Sequence, residues 1–356
     1  MAQRTTPTPD DPTAPGTAPP SEDGGGSGER AAPSVDFRAT AAGRRQSWHG
    51  MKKHVKRVLG WRLPNLAMRA AVGVAAPGLR TTGRLPVPAA TREVTGYVDG
   101  AEYVMLHPAR CVVAKELYWG RGRRPQPADD FALRVFAAAA RRADVMLDIG
   151  AYTGLFTLAG TAVNPRLRAH AFEIVPEVFG TLFDNCVRNR VLHRTTLHHV
   201  GLGDPGSAIA LPARSGGSAL PCFYSTRLAF DDGVPVEVAA LDSFTGRVPT
   251  GSAVVMKVDV EGTEAAVFGH GRGFLAEHRP DIVCEVLPGA DTVALAAVLE
   301  PLGYRFHLIG ADALAPEGPL TPHERFRDWF LTPRSRSGIE ELGVPVAGTA
   351  PLTPPR

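Results

Sequence analysis

The chain reads as an α/β protein built on an open, doubly wound, mostly parallel sheet with helices on both faces. Three observations predict this. Short β-branched apolar runs alternate with segments of helix length from Val145 onward. The runs are apolar almost throughout, as strands covered on both faces must be. Their carboxyl ends carry glycines and acids, in "LDIGAYTG", "AFEI", "VGLGD", "VDVEG" and "CEV", and in such sheets ligands bind at those ends.

Taken in order, "REVTGYVDGAEYVMLHP" predicts a hairpin whose "DG" at 99 and 100 is the turn. Short strands and turns are expected from Val87 to about Gly120, as a small antiparallel flap. A helix from Ala128 to Ala140 leads into the main domain. Then come strand 145–149, helix 154–162, strand 167–174, helix 176–190 and strand 195–202. A glycine-rich excursion, 212–233, precedes "VPVEVAALDSF", read as a strand and short loop. Strand 253–262, helix 263–277, strand 281–287 and a helix near 291–301 follow, and "YRFHLI" and "DWFLTP" close the sheet.

The 356 residues are 44% apolar, enough for one large core with appendages. Residues 1–34, rich in Pro, Thr, Gly and acids, are expected to be disordered. Residues 35–86 form a basic, partly helical leader. Between 38 and 69 it holds nine Arg and Lys and no acid, which makes it a solvated helical face or a contact for a carrier protein, another protein partner or a membrane surface. Residues 87–127 are the flap, 128–335 the main domain and 336–356 an extended tail. A net charge of +3 gives no support to nucleic-acid binding. Cys111, Cys186, Cys222 and Cys284 are isolated, without zinc-like spacing. With no signal peptide and no transmembrane run, a cytoplasmic protein is expected; homo-oligomerisation is left open.

The turn after the first strand is G-A-Y-T-G, with Tyr152 near the place where a dinucleotide loop has its middle glycine. Pyrophosphate binding loses much of its support. S-adenosylmethionine, with a sulfonium and no phosphate, suits the turn better: Asp148 offers an acid to the cationic part, while Gly150 and Gly154 let the backbone turn. The alternative for Asp148 is helix capping. Glu173, ending the second strand, can accept from both ribose hydroxyls. Gly203 and Asp204 occupy a place from which adenine could be held, or form a simple Asp-Pro-Gly turn.

In "MKVDVEGTE", Lys257, Asp259 and Glu261 alternate along a strand end, and Glu264 opens the next helix. With Glu285 they can orient sugar hydroxyls, act as a general base or bind a divalent cation, and the first two rank above metal, which the spacing does not support. The alternative is that Asp259 and Glu264 cap the helix and pair with Lys257. His198, His199 and His270 are read as structural or exposed.

These segments resemble the FkbM family of S-adenosylmethionine-dependent methyltransferases: "LDIGAYTGLFTL" (147–158), "AFEIVPEVFGTLFDNCVRNR" (171–190), "VGLGD" (200–204), "ALDSF" (240–244), "MKVDVEGTEAAVFGHG" (256–271) and "RPDIVCEV" (279–286). The resemblance covers roughly residues 100–310. It implies a class I methyltransferase-like, Rossmann-like sheet of seven strands and O-methylation of a hydroxyl, on a sugar or polyketide part of a specialised metabolite in natural-product or antibiotic biosynthesis. It also implies cofactor contacts from Asp148, Gly150, Ala151, Tyr152, Gly154, Glu173, Asn185 and Asp204, and a substrate side around Asp259, Glu261 and Glu264. Tyr152 stands where the family often has Asn. The stretch 107–120 resembles the family too, so Glu116, Tyr118 and Trp119 are expected to close the crevice. Tyr224, Arg227 and Phe230 are expected to select the acceptor from the 212–233 loop. The competing readings are an NAD-dependent dehydrogenase and a non-catalytic binding protein on the same fold.

Overall fold

The computed structural model describes residues 85–207, 209–211 and 233–348. The expected tail 1–34, nearly all of the basic leader with its 38–69 contact surface, and Tyr224, Arg227 and Phe230 lie outside the described residues.

A hairpin comes first, β1 (Glu93–Val98) and β2 (Ala101–Leu106). Asp99 and Gly100 both adopt positive φ, 45° and 85°, the backbone of a two-residue turn matching strand twist. Beyond it the strands expected up to Gly120 are replaced by a helix, α1 (Val112–Trp119). Its start is set by Cys111, whose Sγ accepts from Ala114 N–H, and it buries Ala114, Leu117 and Trp119. Cys111, Ala114 and Leu117, three residues apart and wholly buried, share one face of that helix. Helix α2 (Pro127–Ala140) begins with proline at its first turn and Asp129 and Asp130 beside it, which suits the positive end of a helix dipole.

The main sheet then builds from β3 (Val145–Ile149), α3 (Leu155–Val163), β4 (Arg168–Phe172), α4 (Pro176–Arg188), β5 (Thr195–His198), β10 (Val254–Val258), β11 (Asp281–Glu285), β12 (Arg305–Leu308) and β13 (Asp328–Thr332). Its order is β12-β13-β11-β10-β3-β4-β5. Neighbours from β5 through β11 are parallel, and β13 runs antiparallel to both β11 and β12. This is the seven-stranded, mostly parallel, helix-flanked sheet of a class I methyltransferase. β3, β10 and β11 are buried at every position. Four short strands, β6 (Gly201–Leu202), β7 (Ile209–Leu211), β8 (Val234–Val236) and β9 (Val238–Ala239), form two separate ribbons beside it.

Three further elements depart from expectation. The strand expected over 195–202 breaks after His198, and Gly201–Leu202 pair with β9 instead. The helix expected over 263–277 is two, α5 (Glu264–Gly269) and α6 (Arg272–His278). A Cβ on Gly271 would sit 2.6 Å from Leu241 Cδ2, so the chain bends where a 3₁₀ turn over 241–247 packs against it. Residues 336–348, expected as extended, follow α7 (Thr292–Leu299) and β13 in the chain and instead include α8 (Arg336–Glu340), burying Ile339, Leu342 and Val344 against Phe136, Phe330 and Leu314. Burial of each such side chain contributes roughly 1.5–3 kcal/mol, which holds the end of the described chain in place.

The hairpin is fixed rather than free. Asn189 accepts from Val104 N–H at 2.7 Å and donates back to Val104 O at 2.7 Å, so α4 completes an edge that β2 would otherwise leave open. Arg188 makes a two-pronged contact with Glu93, and Arg141 donates to Asp99.

Candidate active site

β3 and β10 lie side by side, and the chain leaves them in opposite directions, toward β4 and β5 on one side and β11 on the other. A crevice opens where two such turns part. Asp259 N–H donates to Ile149 O at 2.9 Å, while Gly150 and Ala151 N–H donate to Phe172 O. Gly150 has φ 78°, and a Cβ there would overlap the Asp259 carbonyl oxygen. The glycine therefore does more than turn the chain: it lets two strand ends touch. Above them is a cavity of about 290 Å³.

One half of the cavity is apolar with a single acid. Ile149, Gly150, Ala151, Tyr152, Leu155, Phe172, Ile174, Val178, Val200 and Leu202 line it around Glu173. Each Glu173 oxygen accepts one backbone N–H, Oε2 from Tyr152 at 2.9 Å and Oε1 from Val175 at 2.8 Å. Burial nevertheless pushes its carboxyl up to about 7, because those bonds do not offset the lost water.

Asp148 does not line this cavity. Its Oδ2 accepts from Thr157 N–H at 2.8 Å and Thr157 Oγ1 at 2.6 Å, so it caps α3, whose N-cap, Gly154, has no side chain. Burial pushes Asp148 up to about 6. Gly154 also lies outside the lining: its φ is 90° and a Cβ would stand 2.6 Å from Leu182. Asn185 is wholly buried, with Oδ1 accepting from Leu106 N–H and Nδ2 donating to Thr153 O. Asp204 accepts from Gly206 N–H in an exposed Asp-Pro-Gly turn. The sequence placed all four at the cofactor; none of them lines the cavity, and of their polar atoms Asp148 Oδ1 is buried without a hydrogen-bond partner.

The other half is charged. Lys257, Asp259, Glu261 and Glu285 line it, as do Arg124, Asp129, Arg327 and Asp328. Lys257 is 2% exposed, and its Nζ stands 3.3 Å from Asp259 Oδ2, 3.2 Å from Asp328 Oδ1 and 5.2 Å from the Phe156 ring centre. Burial disfavours its charge, but Asp259, Asp328 and Glu285 outweigh that and hold the ammonium above its usual range. Burial, and next the Asp259 carboxylate, push Glu261 up to about 7. Glu261, which lines the cavity, has φ 54°, a left-handed backbone uncommon for a non-glycine residue. Burial and Asp259 also raise Glu285, whose Oε1 is 3.2 Å from Arg327 Nη1. Asp259, Glu261 and Glu285 each bring an oxygen within 4.8 Å of the others, and Lys257 and Arg327 already compensate two of them.

Other expected acceptor residues stand apart. Glu264 Oε1 accepts from Gly262 N–H at 3.0 Å, closing the turn that presents Glu261, so capping describes Glu264 and pairing with Lys257 describes Asp259. Trp119 is buried, stacked edge-on against Tyr118 with ring centres 5.5 Å apart, and neither lines the cavity. Glu116 pairs with Arg124 behind the wall. His198, His199 and His270 do not line it either; burial drives His198 down to about 4, where it stacks neutral on Phe172.

Arg124, Asp129, Arg327 and Asp328 were not legible as site residues. Strand-end reasoning inspects carboxyl ends, but Arg327 precedes β13 and Asp328 opens it. Because β13 is reversed, its start lies opposite Glu285, paired in register with Asp328.

Comparison with known proteins identifies the domain that carries most of this site. Residues 148–306 match the family model described as Methyltransferase FkbM domain. The chain carries an FkbM methyltransferase domain. No curated protein matches the chain. Among solved structures, an FkbM methyltransferase from Methylobacillus flagellatus is 20% identical with a TM-score of 0.38, over 54% of this chain and 44% of that one. An S-adenosylmethionine-dependent methyltransferase from Agrobacterium tumefaciens is 10% identical with a TM-score of 0.38, over 69% and 72%. Fibrillarin from Aeropyrum pernix, with natively bound S-adenosylmethionine, is 14% identical with a TM-score of 0.34, over 57% and 76%. The assignment rests on the domain match rather than on these distant likenesses, and the chain spans less than half of the first.

The FkbM domain is an enzyme domain that uses S-adenosylmethionine, and the residues present fit that group. Glu173 is a buried carboxylate at an apolar wall, raised by burial despite its backbone donors, and its remaining acceptor capacity suits the paired hydroxyls of a ribose. Tyr152 stands near the place where a dinucleotide loop has its middle glycine, and it packs against the cluster that holds Cys111 and Leu182. No helix among the described residues is long and apolar enough to cross a membrane.

Proposed function

We propose that this protein is an S-adenosylmethionine-dependent O-methyltransferase whose acceptor is a hydroxyl on a sugar or polyketide part of a specialised metabolite. The observation that carries this reading is one cavity with an apolar half holding Glu173 and a charged half holding Asp259, Glu261 and Glu285. In it, Gly150, Ala151, Tyr152 and Glu173 hold the cofactor, while Lys257, Asp259, Arg327 and Glu285 orient the acceptor.

When bound, the cofactor supplies an electrophilic methyl on a sulfonium, whose departure as a neutral thioether needs no acid. The protein's work is then positional, bringing a hydroxyl oxygen in line with that methyl and excluding water. As the oxygen gains the methyl it loses its proton, and Glu261 is the base best matched to that transfer: its carboxyl, near 7, is ionised in a large fraction at neutral pH and holds a proton well. Asp259, pinned by Lys257, accepts from the acceptor's neighbouring hydroxyls.

Calorimetric titration with S-adenosylmethionine and with NAD tests the cofactor half, and selective NAD binding overturns the reading. Incubation with methyl-labelled cofactor and a panel of sugars and polyketide aglycones, followed by mass spectrometry, tests the acceptor half. With an accepted compound, Glu261→Gln is expected to lower kcat about 100-fold and leave cofactor affinity unchanged. Full turnover in that variant removes Glu261 as the base.

A further inference from the structure

Three of five residues in the cofactor turn have left-handed backbone: Gly150 at φ 78°, Tyr152 at 50° and Gly154 at 90°. The glycines adopt it freely, and Tyr152 does not. Such a residue keeps its conformation only where its surroundings over-determine it. Here three groups do so. Glu173 Oε2 accepts from Tyr152 N–H. Cys111 Sγ, at the start of α1, lies 3.2 Å from Thr153 Oγ1. Asn185 Nδ2 donates to Thr153 O at 2.8 Å.

The third group is unlike the others in what stands behind it. Asn185 Oδ1 accepts from Leu106 N–H at 2.8 Å, the last residue of β2, so one side chain ties the hairpin to the turn. The side chain is 0% exposed, and Asn189 donates to its backbone oxygen, fixing it on α4. We propose that Asn185 is a positioning residue for cofactor binding: without touching the cofactor, it clamps Thr153 against β2 and thereby holds Tyr152 N–H on the carboxylate of Glu173. The hairpin is then a brace for the cofactor turn, and Asn185 is the joint between them. This inference rests on the cofactor reading above.

The probe is S-adenosylmethionine, titrated calorimetrically into the full chain. Asn185→Asp keeps an acceptor for Leu106 N–H but sets an oxygen against Thr153 O, and is expected to weaken binding about tenfold, the size of coupling found between residues in one network. Tyr152→Gly supplies a residue at ease with positive φ, so in that background N185D is expected to cost no more than about threefold. An equal loss in both backgrounds overturns the proposal, because a general structural role would add. So does unaltered affinity in N185D. Asn189→Ala, which removes the hairpin bonds to Val104 and the bond to the Asn185 backbone oxygen but leaves both amide atoms of the Asn185 side chain their partners, is expected to lower Tm and keep affinity within about twofold; an affinity loss there equal to that of N185D also overturns it. Should N185D not fold, Asn185→Ser carries the same cycle. Wild-type protein that binds no S-adenosylmethionine sinks the cofactor reading itself, whereas normal wild-type binding with an indifferent N185D or N185S sinks only the role given to Asn185.

Discussion

The two halves of the cavity are held by different means. The cofactor half is made by the ends of three neighbouring parallel strands: a turn from Gly150 to Tyr152, a carboxylate from the next strand with backbone bonds from Tyr152 and Val175, and Val200 and Leu202 beyond it. The acceptor half is assembled from four separate places: the turn before α2, the ends of β10 and β11, and the start of β13. The first is a local backbone shape and the second a long-range charge balance, with Lys257 as its only buried ammonium, facing Asp259 and Asp328. A local shape fails through geometry; a charge balance fails when one member is lost.

The largest effect is therefore expected at Lys257. Replacing it in K257M takes from Asp259 and Asp328 the cation they share and leaves Arg327 beside Glu285, a loss of about 3 kcal/mol in unfolding stability. Cofactor affinity should stay within about threefold, since the apolar half keeps its turn. Denaturation at two pH values sharpens this. Asp328 already sits above its usual range and rises further without Lys257, so the deficit should shrink from pH 8 to pH 5 as it takes up a proton. A deficit independent of pH would mean that packing, not charge, held the acceptor half.

Next in size is Glu173. In E173A the two backbone N–H groups lose their acceptor and the cofactor loses its partner, which is expected to weaken S-adenosylmethionine binding about 100-fold with little effect on the acceptor side. A smaller effect follows from its titration. The free protein's carboxyl stands near 7, and hydroxyl donors favour its anion. Protonation therefore opposes binding: affinity should fall as pH drops below about 7, by at most about tenfold per unit, and level off above it. Glu173→Gln should flatten that slope.

The smallest effect is expected at Arg327, 58% exposed on its pairing with Glu285. R327A should change unfolding stability by less than about 1 kcal/mol, and its signature should be a higher KM for the acceptor at unchanged cofactor affinity. If it weakens the cofactor instead, the two halves are not separable.

The sequence by itself determined the sheet and the cofactor turn, because both are written in neighbouring residues. Apolar runs of strand length fix β3, β10 and β11, and glycines at 150 and 154 permit positive φ. Glu173, Lys257, Asp259, Glu261 and Glu285 were legible for the same reason, as residues at strand ends. Only the tertiary structure decided which polar atoms were already taken: Asp148 by Thr157, Asn185 by Leu106 and Thr153, Glu264 by Gly262. Only it brought Asp328 to Lys257, 71 residues away, because the reversal of β13 is a property of how strands pair and no local pattern encodes it. Hydrogen bonds and ion pairs saturate, so a side chain's chemistry is known from its type, but its availability is known only once its neighbours are in place.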